Sequence, residues 1–400
     1  MTRSSPPLLV GALVLAVFLG PRLESTASAN DLPTGFDDAW DATCTSFTRL
    51  LEAEGIVGGS LMFLHDDHTE TKFYGLADQE TGRRVDVDTI YHWASITKTL
   101  TAIGILQMRD RGLLDLDNSV LETCPEIGSV HNPFGAMEDI TLRHVLTHSA
   151  GFRNSTWPWG GDEPWHPHEP KTWSQLVAMM PYTKIHFEPG SRFSYSNPAI
   201  IFLGRTLEAL SGDDYEVYVD KNIFKPLGMT RSYFDGTPYH LLEDRSNNYY
   251  VEGEKLKTNG LDFDTGVTVS NGGFNAPLPD MARYLRFLLG AESSVLARSS
   301  LDEMWDPALP IGKDGPIESS IGLTYFLLDH GGQRYIGHTG GQMGFISFFY
   351  IHPPTRTACL AAFNTLGRSK EGKPRPDTRS VLATLRLQFF ESVFPLFRES

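Results

Sequence analysis

The sequence is poor in cysteine and in positive charge. Its 400 residues include three cysteines, at positions 44, 124 and 359, and 34 Lys and Arg against 49 Asp and Glu. Three widely spaced cysteines give neither a disulfide framework nor a metal-ligand spacing, and we interpret them as buried thiols, with one bridge as the alternative. A net charge of −15 argues against nucleic acid or an anionic membrane surface as the partner.

Several catalytic motifs are also absent. The chain has no Gly-x-Ser-x-Gly nucleophile elbow, no His-Glu-x-x-His zinc motif and no Gly-x-x-x-x-Gly-Lys-Ser/Thr phosphate loop. These absences disfavour an α/β-hydrolase, a zinc protease and a nucleotide-binding protein. The histidines at positions 65, 68, 166 and 168 belong to no ligand pattern, so we predict no metal site and no cofactor.

The N-terminus has the pattern of a secretory signal peptide. Arg3 precedes the apolar run 8–20, which is too short to span a bilayer comfortably, and a cleavage site ends at Ala29. We therefore expect residues 1–29 to be removed and the protein to be secreted or periplasmic, with an uncleaved membrane anchor as the alternative. No second long apolar run follows, so the mature chain is expected to have no stable membrane span.

The order of apolar patterns predicts an α+β protein. Helical and strand periodicities alternate near both ends of the chain, while the middle is mostly helices and loops. The predicted helices are 36–54, 95–110, 141–148, 197–211 and 376–395. The predicted strands are 59–64, 71–75, 321–328, 334–338, 345–352 and 357–364.

This order indicates two domains in the mature chain. Residues 30–112 and 264–400 would build a sheet domain from both ends of the chain, with a mainly helical domain, 113–263, inserted between them. The inserted part contains a tryptophan-rich loop at 152–173. That loop either shapes a substrate pocket or packs on its own aromatic rings.

Ser95 and Lys98 form a Ser-x-x-Lys motif at the start of an apolar helical pattern. A spacing of three residues on a helix places both side chains on one face. A lysine kept neutral by burial or a helix N-terminus can take the proton of a serine hydroxyl, so the pair suggests a nucleophile without a histidine triad. About one such motif arises by chance in a chain this long; alternatively, Ser95 caps the helix and Lys98 is solvated.

The segment Tyr195-Ser196-Asn197 suits the same chemistry. A tyrosine beside a lysine can shuttle a proton, because a neighbouring cation favours the phenolate. An asparagine two positions later can hold an amide group of a substrate. The same residues are common in ordinary loops, which is the alternative interpretation.

The segment His338-Thr339-Gly340-Gly341 ends a predicted strand. Glycines at this place let a substrate backbone or an acyl carbonyl approach closely. The backbone N–H of Gly341 could pair with that of Ser95 as an oxyanion hole. A glycine-rich turn of no catalytic importance is the alternative.

Together and in this order, the motifs resemble the serine β-lactamase and penicillin-recognising family, closest to its class C-like branch. That branch includes family VIII carboxylesterases and D-specific peptidases. The resemblance covers roughly 36–364, with supporting stretches at 75–82, 142–151, 224–229 and 271–284. It implies an α+β, β-lactamase/transpeptidase-like fold, in which an antiparallel sheet is flanked by N- and C-terminal helices and carries an inserted, mainly helical domain.

The resemblance also implies a role for each motif residue. Ser95 would be the acylated nucleophile, and Lys98 and Tyr195 would share general-base and proton-return work. The N–H groups of Ser95 and Gly341 would stabilise the tetrahedral oxyanion. The residues assigned to substrate binding are Asn197, His338, Thr339 and Gly340.

His338 departs from the pattern, because β-lactamases of this branch resemble Lys-Thr-Gly where this chain has His-Thr-Gly. A lysine suits a β-lactam carboxylate, whereas a histidine is mostly neutral at pH 7. We therefore expect a serine hydrolase acting on esters or D-amino-acid amides, with a small-molecule or peptide substrate that includes cell-wall-derived ones. A D-Ala-D-Ala carboxypeptidase, a penicillin-binding protein or a weak class C-like β-lactamase is one alternative, and a non-catalytic binding protein is another.

Overall fold

The computed structural model describes residues 32–153, 170–252, 255–258, 260–261, 264–290, 294–368 and 377–398. The proposed signal peptide and most of the tryptophan-rich loop lie outside these residues, so both stay predictions. None of the described helices is both long enough and apolar enough to cross a membrane.

Helices occur mainly between the two halves of the sheet. Those of the described residues are α1 (Phe36–Ala53), α2 (Thr97–Asp110), α3 (Leu142–Leu146), α4 (Trp173–Met179), α5 (Asn197–Ser211), α6 (Tyr215–Val219), α7 (Lys225–Leu227), α8 (Val269–Gly272), α9 (Leu278–Leu288), α10 (Arg298–Met304) and α11 (Thr378–Gln388). The predicted helices at 36–54 and 197–211 therefore correspond to α1 and α5.

Strands cluster near the two ends of the chain. Those of the described residues are β1 (Gly58–His65), β2 (His68–Asp78), β3 (Arg83–Arg84), β4 (Ile90–His92), β5 (Tyr233–Phe234), β6 (Tyr249–Glu252), β7 (Lys255–Lys257), β8 (Phe274–Pro277), β9 (Leu309–Asp314), β10 (Ile317–Ile321), β11 (Phe326–His330), β12 (Gln333–Gln342), β13 (Phe345–His352), β14 (Thr357–Phe363) and β15 (Thr365–Arg368).

One large antiparallel sheet joins the two ends of the described chain. Its strand order is β3-β2-β1-β14-β13-β12-β11-β10-β9, and each neighbouring pair runs antiparallel. Strand β1 pairs with β14, so that Gly59 lies opposite Phe363. The prediction of an α+β fold built on an antiparallel sheet is confirmed.

Both faces of the central strands are covered. Every residue of β13 is buried, although neighbouring side chains of a strand point to opposite faces. The ring of Phe349 packs against Tyr284 of α9, while the next ring, Tyr350, packs against Phe390 after α11. On the second face, Trp40 of α1 lies against Phe389. The N- and C-terminal helices therefore flank the sheet, as predicted, and they do so on one face.

Where residues 113–263 are described, their regular secondary structure is mostly helical, with α3 to α7 and three short strands, and the rest is turns and loops. From Pro33 onward, however, the described residues group into one compact unit. The division into a sheet domain, 30–112 with 264–400, and an inserted domain, 113–263, therefore stays a prediction.

The predicted strand 321–328 is wrong as a single element. Strand β10 ends at Ile321 and β11 begins at Phe326. Between them Thr324 adopts a left-handed φ of 66°, and its backbone N–H donates to Leu146 O at 2.7 Å. A tertiary contact therefore turns the chain where the apolar pattern continues.

The final helix also differs from its prediction. Asp377 caps it, since the Ser380 N–H donates to Asp377 Oδ1 at 3.0 Å. The α-helix ends at Gln388, well before Pro395. The chain continues in a wider helical turn, Phe389–Val393, whose buried rings pack on the sheet. The α-helix therefore ends before the proline, and the buried rings of Phe389 and Phe390 follow it.

Candidate active site

Ser95 lies in a short 3₁₀ helix of one turn, Ala94–Ile96, directly before α2. The turn is anchored by Trp93, whose N–H donates to Phe274 O at 2.8 Å. Ala94 has a left-handed φ of 48°, a strained conformation of the kind that concentrates at functional sites. The residue that caps α2 is Ile96, with no side-chain cap bond, so the alternative in which Ser95 caps the helix is wrong.

Lys98 is buried beneath the serine. Its Nζ lies 3.1 Å from Ser95 Oγ and donates to Asn271 O at 2.8 Å. The residue has no exposed surface, and burial lowers the pKa of its amine well below the usual value. A neutral amine can donate to the carbonyl and still direct its lone pair at the serine hydroxyl, so Lys98 is placed to act as a base.

Tyr195 completes the contact with the serine. Its hydroxyl is hydrogen-bonded to the Ser95 side chain, and Lys98 Nζ lies 5.1 Å from the centroid of its ring. Burial raises the pKa of Tyr195, and the bond to Ser95 opposes this only in part. Burial lowers the pKa of Lys98 and raises that of Tyr195, so the phenolate that the sequence analysis expected beside a cation is not favoured, and Tyr195 keeps its proton near neutral pH.

Asn197 begins α5, which follows a well-formed cap. Ser196 Oγ accepts from the Ala199 N–H at 3.2 Å. Asn197 lines the cavity in front of Ser95, and its backbone oxygen accepts from Asn271 Nδ2 at 3.1 Å. Asn271 thus links Lys98 to Asn197. The sequence analysis placed it only in a supporting stretch.

The strand segment with Thr339, Gly340 and Gly341 forms the opposite wall of the cavity. A Cβ on Gly340 would lie 2.2 Å from the backbone oxygen of Trp93. Only glycine therefore allows β12 to approach the turn that carries Ser95. A Cβ on Gly341 would meet nothing within 4 Å, so that position is open toward the cavity.

The cavity itself holds about 610 Å³, which suits a small-molecule or short-peptide ligand. Aromatic and aliphatic side chains supply much of its wall, and the charged side chains lie on β9 and α11. Its lining outside the predicted motif residues includes Phe193, Phe326, Ile346, Phe348, Asp314, Arg379 and Arg386. Ser95, Tyr195 and Asn197 line it as well, so the structure brings the separate sequence motifs to one place.

His338 lies behind the cavity wall. Its ring is buried and packs 4.8 Å from the ring of Phe326 and 6.3 Å from that of Tyr195, measured between centroids. Its Nδ1 is 2.6 Å from Thr339 O, which can only accept, so Nδ1 carries the proton. Burial is the main cause that lowers the pKa of His338 to about 3. It is therefore neutral, and it is not among the residues that line the cavity.

No acidic side chain appears among the causes that shift the pKa values of Lys98, Tyr195 and His338 within the described residues. Burial is the largest cause for all three. Within the same part of the chain, no group of three or more His, Cys, Asp or Glu residues is arranged to hold a metal ion.

The sequence profile of the family described as Beta-lactamase matches residues 45–383. The chain belongs to this family of serine hydrolases. It is 24% identical over 302 residues to Penicillin-binding protein 4* of Bacillus subtilis strain 168, covering 72% of this chain and 62% of that protein. It is 27% identical over 246 residues to Lovastatin esterase of Penicillium rubens, covering 56% of this chain and 61% of that one. The first curated relatives are thus matched over 62% or less of their own length.

Solved structures confirm the β-lactamase/transpeptidase-like fold. A class C beta-lactamase superposes with a TM-score of 0.71 at 19% identity, covering 90% of this chain and 97% of that one. The octameric penicillin-binding protein homologue from Pyrococcus abyssi gives a TM-score of 0.72 at 23% identity, covering 87% and 77%. At these identities the likeness establishes the fold alone.

Proposed function

We propose that this protein is a serine hydrolase that cleaves esters or D-amino-acid amides through an acyl-enzyme on Ser95. The observation that carries the proposal is the contact between Ser95 and Lys98. A lysine amine without exposed surface, 3.1 Å from a serine hydroxyl, has the position and the lowered pKa of a general base. This contact also argues against a non-catalytic binding protein, for which neither property is needed.

In the first step Ser95 Oγ attacks the carbonyl carbon of the substrate, and its proton passes to Lys98 Nζ. The tetrahedral oxyanion is stabilised by the backbone N–H groups of Ser95 and Gly341. The bond to the leaving group then breaks, and the leaving oxygen or nitrogen takes a proton from the Tyr195 hydroxyl, which Lys98 re-protonates. A water molecule, helped by Tyr195, hydrolyses the acyl-enzyme and releases Ser95.

Two features support esters or amides as the substrate class. His338 is neutral and stands behind the wall, so it offers no fixed charge to a substrate carboxylate. The cavity wall carries several aromatic rings, which suit an uncharged acyl group or side chain. The names of Lovastatin esterase and of a D-amino acid amidase from Ochrobactrum anthropi, among its relatives and structural neighbours, support both branches of the proposal.

Replacing the nucleophile tests the proposal. Ser95→Ala should abolish turnover of a p-nitrophenyl ester, because no other group in the site can be acylated in this scheme. Ser129→Ala, at an exposed position, is the matched control and should keep full activity. Unchanged turnover by Ser95→Ala would refute the proposal.

The second candidate keeps the mechanism and changes the substrate to peptidoglycan-type D-Ala-D-Ala peptides or β-lactams. The similarity to Penicillin-binding protein 4* favours it. Mass spectrometry after exposure to a penicillin separates the candidates. A stable adduct on Ser95 indicates a penicillin-binding peptidase, rapid turnover indicates a β-lactamase, and no adduct favours an esterase. Secretion through residues 1–29 is part of the proposal for both candidates. The cell-wall candidate requires it, because such a substrate lies outside the membrane.

A further inference from the structure

We propose that His148 is a positioning residue that fixes the Tyr195 hydroxyl for proton return, an inference that rests on the proposed function. His148 lies just after α3, in a stretch that the sequence analysis treated as scaffold only. The residue holds the tyrosine segment at three points. Its carbonyl accepts from the Ser194 N–H at 2.8 Å, its Nδ1 accepts from the Ser196 N–H at 3.1 Å, and its ring stacks on Tyr195.

The stacking is close and specific. The centroids of the His148 and Tyr195 rings are 4.3 Å apart, with 28° between the ring planes. Phe326 stacks on Tyr195 at 6.3 Å and 18°. The tyrosine ring is thus oriented by aromatic neighbours, while the backbone on both sides of it is bonded to His148. Together these contacts fix the direction in which the phenol hydroxyl points.

The backbone of His148 is strained to make these contacts. Its φ of 52° is left-handed, which costs a residue with a side chain roughly 1 kcal/mol or more. Its N–H nevertheless donates to Val145 O at 3.1 Å. A position that needed only a side-chain acceptor in a loop would be served by asparagine, which tolerates a left-handed backbone at lower cost. The strain therefore indicates that the imidazole ring itself has a role.

The tautomer of His148 follows from its bonds. Nδ1 accepts from the Ser196 N–H, so it cannot carry a proton, and the neutral ring must be protonated on Nε2. Burial lowers the pKa of His148 well below its usual value. The ring therefore stays neutral and keeps its Nδ1 bond. A protonated His148 would lose this bond and release one side of the tyrosine segment.

Two substitutions separate the contributions of the residue. His148→Asn keeps an acceptor oxygen near the place of Nδ1 and tolerates the left-handed backbone, but it removes the stacked ring. His148→Phe keeps a ring but leaves the Ser196 N–H without its acceptor. His240→Asn, at an exposed position, is the matched control. Should His148→Phe fail to fold, His148→Asn alone still tests the proposal.

The readout is the dependence of the rate on the leaving group. An ethyl ester needs a proton for its departing alkoxide, whereas p-nitrophenolate leaves as an anion. If His148 acts through Tyr195, kcat/KM should fall roughly tenfold or more on the ethyl ester and by less than about threefold on the p-nitrophenyl ester of the same acid. Tyr195→Phe should show the same pattern, and adding His148→Asn to it should change neither value further.

Three outcomes would overturn the proposal: an equal loss on both esters, a loss confined to KM, or effects that multiply in the double variant. Thermal denaturation of each variant shows whether a loss reflects unfolding, which would lower both rates in proportion. The proposed function is judged separately by Ser95→Ala. If that variant remains active, the hydrolase proposal fails. If it is inactive and the rate losses of the two single variants multiply in the double variant, only the role of His148 fails.

Discussion

The two walls of the cavity differ in what they contribute. On the helical wall, Ser95, Lys98 and Tyr195 are joined by hydrogen bonds in a buried setting. On the strand wall, Gly340 and Gly341 bring backbone close to the serine and present no side chain. In the proposed mechanism the first wall performs proton transfer, which depends on shifted pKa values. The second wall sets the shape of the cavity beside Ser95, which depends on the absence of a Cβ at the two glycines. Each wall therefore has its own most sensitive substitution.

The largest expected effect is on the helical wall. Lys98→Met should lower kcat by about 10³-fold or more, because the base is removed, while the apolar side chain preserves packing. Lys98→Arg is the matched comparison, since a guanidinium keeps donors but stays charged and cannot accept the proton. Steady-state kinetics on a p-nitrophenyl ester measures both. Substantial activity in Lys98→Arg would show that the lysine only positions Ser95.

The second effect tests the strand wall. Gly340→Ala places a methyl group 2.2 Å from the oxygen of Trp93, so β12 must move away from the turn. We expect a loss of about 1–3 kcal/mol in the free energy of unfolding and at least a tenfold loss of kcat/KM. Gly341→Ala is the control for stability, because its methyl group would meet no protein atom within 4 Å. Chemical denaturation compares the two variants, and an equal loss of stability at both positions would contradict the comparison; kinetics on Gly340→Ala measures the loss of kcat/KM.

The third effect concerns acid stability, to which the two buried histidines His92 and His338 contribute. Burial lowers the pKa values of His92 and His338 from 6.5 to about 3. The unfolded chain therefore binds protons below pH 6.5 that the folded chain does not, so stability should fall as pH drops from about 6.5 towards 3. Each group contributes at most about 1.4 kcal/mol per pH unit within that window.

Denaturant unfolding at pH 7, 6, 5 and 4 measures this slope. His338→Asn should flatten it, because the group that gains a proton on unfolding is removed. The exposed substitution His240→Asn serves as the control for a change of histidine content. A slope that is the same in wild type and His338→Asn would mean that His338 is not buried as a neutral ring.

Much of the fold could be predicted from periodicity. Helix α5 begins and ends as its apolar spacing and cap predict, and the hairpin of β1 and β2 turns at the polar residues between them. The strand predicted at 321–328 failed because apolar spacing does not record the contact between Thr324 and Leu146. The local pattern of apolar residues carries no information about contacts between distant segments, and such contacts bend the chain.

The identity of the motif residues could be predicted from the sequence, but their protonation states and burial could not. Ser95, Lys98, Tyr195 and Asn197 do meet, as their order in the family pattern implies. The charge of Lys98, the protonated form of Tyr195 and the position of His338 behind the wall could not be predicted. Each depends on how deeply the packed protein buries the group, and burial is set by residues far away along the chain.

The class of fold, and the prediction of Ser95 as nucleophile with Lys98 as its base, came from the sequence alone, because residue types and their spacing are local properties of the chain. Tertiary structure alone decided that His148 holds the tyrosine segment and that β12 reaches the serine turn only at a glycine. Both are contacts between segments separated by tens to hundreds of residues. Their chemistry follows from distance and burial, which exist only once the chain has folded.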